Sequence, residues 1–400
     1  MSLCLGGDIS SSLTVETFLF HLTIVLIAAK FLGDLSKRIG IPVVVGELIG
    51  GAIIGSYGLG WLTVDPILHL LAQLGLILLL FEIGLETDLK QLIQSGPKAL
   101  AVSVVGILLP FAGGYFFADY MGLSQMAALL IGGAFSATSI GITLRVLGEL
   151  EKSKSEEGQI VLGAALIDDV VSLLILGVLT TLISSQAGNQ QMDSATLWQT
   201  FGLSLAFPIV AFVLGNLFTK PLLLWVENMR IRGALLSFAL IMVFGFSWFA
   251  VILGSSPIIG AFAAGLILSQ THQSHVIEDR LKPVADLLTP IFFVTTGAVL
   301  NIHLLNPFNA DNHVLLLMAL MASGIAILTK YMSGFMAWGK GLNRNLIGLS
   351  MAPRGEVMLI FAQLGMSSAV LNEQWFAVLI LVIVITALLT PPLMAKVAKH

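Results

Sequence analysis

The sequence predicts an all-α polytopic membrane protein with thirteen transmembrane helices, arranged as two inverted six-helix repeats with crossed, broken helices. Three observations carry this reading. Of 400 residues, 57% are hydrophobic and 10% charged, where a soluble domain carries about 25% charged side chains. The apolar runs reach the roughly 20 residues that one span requires. Lys and Arg collect in alternate connections between those runs, as cytoplasmic loops do. This composition argues against nucleic-acid binding, a secreted disulfide scaffold or a cytosolic enzyme. Cys4 is the single cysteine, so no internal disulfide or Cys-based metal site is expected.

Gly, Pro and charged residues punctuate the apolar runs into predicted helices at 15–34, 41–57, 66–86, 97–119, 125–147, 158–184, 196–219, 232–252, 256–271, 282–303, 312–338, 345–367 and 373–396. The first follows a segment without Lys or Arg, so it lacks the basic start of a cleavable signal peptide and reads as a retained helix. Lys37, Arg38, Lys90, Lys98, Arg145, Lys152, Lys154, Lys220, Arg230, Arg232, Arg280, Lys282, Lys340 and Arg344 lie in or beside connections after odd-numbered helices. Lys396 and Lys399 lie in the tail, and connections after even-numbered helices hold no basic residue. Lys30 lies near the cytoplasmic end of helix 1, which leaves Lys330 and Arg354 inside helices. The N-terminus is therefore expected outside and the C-terminus in the cytoplasm.

Internal similarity then orders the helices. GAIIG (Gly51 to Gly55) returns as GAFAAG (Gly260 to Gly265), and FEIGLETD (Phe81 to Asp88) as FVTTGAVLN (Phe293 to Asn301). SATSIGIT in predicted helix 5 corresponds in place to MAPRGEVM in predicted helix 12. The boundaries that follow are 1–190 for the first repeat, 191–225 for a linking helix 7 and 226–400 for the second, inverted repeat. Such repeats are a recurrent plan of secondary transporters, with substrate bound near the midplane on interrupted helices. Helix 5 holds Gly132, Gly133, Ser136, Thr138, Ser139 and Gly141; helix 12 holds Pro353, Arg354, Gly355 and Glu356. Both sets weaken a helix, through backbone freedom, competing hydroxyls or a missing donor. Where two such breaks cross, facing helix ends need compensating charge, a role that falls to Arg354 and Glu356.

An ionisable group inside the hydrocarbon region is a functional candidate by default. Asp168 and Asp169 stand side by side in LGAALIDDVVSLLILG. Successive helical residues point about 100° apart, so one carboxylate can meet a basic residue and the other a water-filled cavity. Lys330 lies mid-helix, too far from an end to snorkel, and calls for a buried partner. A structural Asp168–Lys330 pair is the plainer reading, yet one lysine cannot neutralise two carboxylates. Charged oxygen ligands suit a hard monovalent cation. Asp169 and Asp168, with the hydroxyls of Thr138 or Ser139 and a few waters, could bind sodium. A proton and a cation that compete for one carboxylate will be exchanged by a carrier that moves only when loaded. Glu47, Glu82 and Glu86 could line a funnel or pair with Arg354.

At these residues the chain resembles the bacterial sodium/proton antiporters of the monovalent cation:proton antiporter-2 branch, the NapA and GerN type. VVVGELIGGAIIG, LLLFEIGLETD, FSATSIGITLRVL, ALIDDVV, IGAFAAGLILS and APRGEV carry the likeness, which covers nearly the whole chain. The resemblance implies a mobile core of helices 4–6 and 11–13, and a scaffold of helices 1–3 and 8–10 that forms a homodimer. The core would slide against the scaffold in elevator-like alternating access, in a bacterial inner (plasma) membrane. It further implies that Asp169 is the cation and proton carboxylate, and that Asp168 is its partner acid. Lys330 would pair with Asp168 while the cation is absent, and Thr138 would be the hydroxyl of the unwound segment. Exchange by the paired-aspartate subgroup is usually electrogenic. Sodium or lithium and protons would be cargo, with no cofactor, and no Rossmann-type glycine fingerprint points to nucleotide gating.

A potassium/proton antiporter is the first alternative, since the same carboxylates could serve a wider cavity. A proton-gated channel or sensor is the second, although buried titratable pairs within inverted repeats argue against an open pore. An enzyme would need a nucleophile and base or a metal cluster. His272 and His275 are the nearest approach to one, and two histidines beside a loop make a poor metal site.

Overall fold

The computed structural model describes residues 14–186, 222, 223, 226, 229, 231, 233–253, 255–299 and 312–398. Predicted helix 7, at 196–219, lies outside the described residues. Among those described the chain is helical, apart from one isolated bridge between Gly55 and Leu62. The helices are α1 Val15–Arg38, α2 Val43–Ile54, α3 Pro66–Glu86, α4 Leu89–Tyr120, α5 Gln125–Ser136, α6 Ile140–Glu149 and α7 Glu156–Gln186, followed by α8 Ala234–Ile252, α9 Pro257–Ser269, α10 Ser274–Ala298, α11 Asn312–Ser333, α12 Arg344–Ser350, α13 Glu356–Ser367 and α14 Glu373–Val397.

Eight helical segments of the described residues are long and apolar enough to cross a membrane, with α5 and α6 counting together as one of them. Shorter apolar helices occupy Val43–Ile54, Pro257–Ser269 and Val357–Ser367. Most boundaries fall within a few residues of expectation. Predicted helix 4 was placed from Pro97, but α4 begins at Leu89 because Asp88 caps it, accepting from the Lys90 and Gln91 backbone N–H groups at 2.8 and 3.3 Å. The cap decides the start, and the helix runs on through Pro97 and Pro110. Predicted helices 5 and 12 each resolve into two short helices, α5 with α6 and α12 with α13.

The chain groups into two compact units, each built from two separate stretches of the sequence. In the unit of residues 14–75 and 287–299, α1 packs along α2, and α2 meets the last turns of α10 at backbone distance. A Cβ at Gly51 would stand 1.9 Å from the Val294 carbonyl oxygen, and one at Gly297 2.1 Å from that of Leu48. Only glycine permits this approach.

In the unit of residues 76–286 and 312–398, α9 meets the last turns of α3 in the same manner. A Cβ at Gly265 would stand 2.3 Å from the Phe81 oxygen, and one at Gly84 2.5 Å from that of Phe262. The main apolar core of this unit joins α4, α5, α11, α13 and α14 through Phe117, Phe135, Ala322, Phe361, Trp375 and Val378. Of the 18-residue stretch that represents Gln125–Glu149, 94% is buried, against 28% for α8. The broken helix is thus surrounded by protein. That is where interrupted backbone is tolerated at membrane depth.

Candidate functional site

Asp168 and Asp169 lie twelve and thirteen residues into α7, about 18 Å along its axis at 1.5 Å per residue. Both are buried, Asp168 completely. Each oxygen of Asp168 is used. Oδ1 accepts from Ser103 Oγ of α4 at 2.5 Å, and Oδ2 accepts from Thr138 Oγ1 at 3.0 Å and from Lys330 Nζ of α11. Lys330 is itself inaccessible to solvent, so the two form a fully buried ion pair. Desolvating both charges opposes such a pair unless further hydrogen bonds support it, and the two hydroxyls supply them.

Thr138 reaches Asp168 because the helix is open there. α5 ends at Ser136, whose Oγ turns back to the Gly133 carbonyl at 2.7 Å, and Ala137 takes an extended conformation. Across the gap, α12 ends at Ser350 and α13 restarts at Glu356. The two breaks are bonded to each other. The Ser139 N–H donates to the Pro353 carbonyl at 2.9 Å, and Thr143 Oγ1 to that of Ser350 at 2.6 Å.

Arg354, fully buried, donates from one terminal nitrogen to the Ala137 carbonyl at 2.7 Å and from the other to Ala326 at 3.1 Å, while its backbone N–H donates to Thr386 Oγ1 at 3.2 Å. Its positive charge therefore sits at the negative end of α5, where a helix leaves carbonyls unbonded. Its guanidinium also interacts electrostatically with Asp168.

Asp168, Thr138 and Lys330 are therefore bonded together, and Arg354 joins them through the same break. Asp169 is buried beside Asp168 on α7, and Ser139 is buried at the start of α6. The side chain of Glu356 lies outside the described residues. Glu82 and Glu86 stand near the end of α3, where Glu86, Asp286, Lys282 and Arg145 supply the field around Glu82. Glu47 is buried on α2, in the other unit. Ser103 was not among the expected residues. It is a small polar residue in the middle of the apolar run ALAVSVVGILL, a signal too common in membrane helices to single it out.

The chain can be set beside known proteins on this geometry. The family described as "sodium/hydrogen exchanger, transmembrane" matches residues 22–396. The high-affinity Na+/H+ antiporter NhaS3 of Synechocystis sp. is 33% identical, over 95% of this chain and 89% of that protein. The Na+/H+-K+ antiporter GerN of Bacillus cereus is 35% identical, over 94% of this chain and 95% of its own length. Among solved structures, the sodium proton antiporter MjNhaP1 of Methanocaldococcus jannaschii superposes with a TM-score of 0.72 at 16% identity, covering 96% of this chain and 98% of that one. The structural likeness supports the fold. With a family match across nearly the whole chain and relatives above 30% identity, the chain belongs to the sodium/hydrogen exchanger family.

Proposed function

We propose that the protein exchanges sodium, or lithium, for protons across a bacterial inner membrane, with Asp169 as the carboxylate for which cation and proton compete. The observation that carries this reading is the fully buried Asp168–Lys330 pair at the helix crossing, with Asp169 next to it. A buried carboxylate such as Asp169 and a cation attract each other strongly at low dielectric. As a cation with its own charge arrives, Asp168 turns from Lys330 toward it, and the lysine gives up its proton to water on the side from which the cation entered. Thr138, already in reach of Asp168, and Ser139 complete the oxygen set. Family membership and relatives printed as sodium/proton antiporters support the choice of cargo.

The repeat organisation is also a proposal, with 1–190 and 226–400 as inverted halves about a linking helix at 191–225. It is supported by the glycine contacts. Gly51 against Val294 and Gly297 against Leu48 correspond, at the offset of the sequence repeats, to Gly265 against Phe81 and Gly84 against Phe262. We further read the chain as a thirteen-span homodimer with its N-terminus outside, working as an elevator with electrogenic exchange. Potassium is a second candidate ion, because GerN is named for both.

The test is reconstitution into liposomes with an inside-acid gradient, followed by a pH-sensitive dye. Addition of sodium or lithium is expected to drive proton efflux in wild type and not in Asp169→Asn. Efflux on potassium alone would move the potassium reading to the front. An equal response in the variant, or none to any cation, would reject the exchange site and favour a channel or sensor.

A further inference from the structure

Exchange at the buried acids engages the middle of α4, through Ser103, and leaves its first turns without a part. α4 has 32 residues, about 48 Å at 1.5 Å per residue, against a hydrocarbon core of about 30 Å. It therefore has turns to spare outside that core. Ile93, Leu100, Val104 and Leu108 are exposed, at 45 to 66%. At about 100° per residue they fall in one apolar stripe along the helix.

On the adjoining face, between the first turns of α4 and α7, lies a cavity of about 530 Å³, a volume typical of small-ligand sites. Every residue that lines it is polar or charged. Asp88, Lys90 and Lys98 come from the cap and first turns of α4, and Glu156 from the first turn of α7. Two positive and two negative groups thus face one space. Lys98 Nζ meets Glu156 Oε1 at 2.5 Å, whereas Lys90 is exposed and has no ion-pair partner among the described residues. Ser95, only 3% exposed, lines the same cavity, and its hydroxyl has no hydrogen-bond partner among the described residues. A serine inside a helix commonly bonds its own backbone, and a buried hydroxyl normally has a partner. This one is left for a ligand.

We propose that the cavity binds the headgroup of a phospholipid that carries both a phosphate and a primary ammonium, with the acyl chains lying along the apolar stripe of α4. The phosphate oxygens accept from Lys90, Lys98 and the Ser95 hydroxyl. The ammonium donates to Glu156 and to Asp88, which has Oδ2 to offer while Oδ1 caps the helix. Two lysines alone would suit any anionic lipid, but two carboxylates beside them oppose a net negative headgroup and balance a zwitterion. The stripe favours a lipid over a water-soluble phosphate ester, because it receives the tails where the headgroup site ends. The proposal goes beyond sodium/proton exchange and does not depend on it.

Purified, delipidated protein in detergent is titrated with dioleoyl-phosphatidylethanolamine, bound lipid is counted by native mass spectrometry, and melting is followed in parallel. One tight lipid per chain is expected. Dioleoyl-phosphatidylcholine, whose trimethylated nitrogen has no N–H to give, and dioleoyl-phosphatidylglycerol, which has no ammonium, should each bind about tenfold more weakly, the worth of one charge-assisted hydrogen bond. Ser95→Ala and Lys98→Gln should each weaken phosphatidylethanolamine by a similar factor. Ser95→Ala leaves the Lys98–Glu156 pair in place and should melt like wild type without lipid, which separates loss of the site from loss of the fold. Equal affinity for the three lipids, or wild-type affinity in either variant, would overturn the proposal. Displacement of the lipid by glycerophosphoethanolamine, the same headgroup without tails, would also overturn it and point to a soluble ligand.

Discussion

Arg354 does for the Ala137 carbonyl what a further turn of helix would otherwise have done. Its guanidinium reaches Ala137, where α5 stops, and Ala326 on α11. A buried acceptor left without a donor costs about 1–3 kcal/mol. Arg354→Met should therefore lower stability by roughly 1–3 kcal/mol for the Ala137 carbonyl, since that of Ala326 keeps its place in the α11 ladder. Arg354→Lys, with one ammonium, should recover part of that; melting of the purified protein in detergent checks both. Loss of exchange without loss of stability in Arg354→Met would move the residue from holding the break to contacting the ion. Asp168, Asp169 and Lys330 were legible in the sequence because charge at membrane depth has few structural excuses. The partners of Arg354 were less so. Carboxylates were open candidates, whereas the bonds found go to main-chain oxygens, which carry no signature in sequence. Ser103 escaped notice for a related reason. A lone serine in an apolar helix commonly bonds its own backbone, and only the placement of α7 shows that it does not do so here.

Among elements, the breaks and the close helix approaches carry the architecture. Gly51 and Gly265 lie in the paired GAIIG and GAFAAG segments, and each would drive a Cβ into a carbonyl oxygen, at 1.9 and 2.3 Å. Backbone cannot yield as a flexible side chain does. Gly51→Ala and Gly265→Ala should each destabilise by more than the roughly 1–3 kcal/mol typical of overpacking. Similar falls in melting temperature for the two would support equivalence of the halves, and a neutral effect at either would count against it. These helices were readable from apolar length and from glycine, proline and charge. Their ends were less so where caps and prolines gave conflicting signals, as at Asp88 and Pro97. That two predicted helices divide was legible from Pro353 and from the Ser-Ala-Thr-Ser run. That they bond to one another through Ser139 and Pro353 was not, because the sequence holds no measure of which main-chain groups meet.

For the whole molecule, the proposed cycle has an electrical signature. With Asp169 protonated and Lys330 charged, the buried set of Asp168, Asp169, Lys330 and Arg354 carries one net positive charge. With sodium bound and Lys330 neutral it carries none. Wild-type exchange should consequently respond to an imposed membrane potential. In Lys330→Met the lysine's charge is missing from the cycle, both loaded forms carry the same charge, and the dependence should vanish. Valinomycin-clamped vesicles measure this directly, and a variant as voltage-sensitive as wild type would show that the lysine does not carry a transported proton. At this scale the proposed orientation of the chain rests on the alternation of basic residues. Predicted helix 7 carries no counterpart in the repeat, and it lies outside the described residues.

The bonds that close the crossing also have a history during synthesis. Thr143 and Ser350 are 207 residues apart, Arg354 and Ala137 are 217 apart, and Asp168 precedes Lys330 by 162. At about 5–20 residues per second, the first break waits roughly 10–40 s for the segment that completes it. For much of that time the acid pair has no lysine. A nascent chain halted before α11 therefore holds an open helix and an Asp168 carboxylate without its lysine, and its early helices depend on the insertion machinery or on water until the second half arrives.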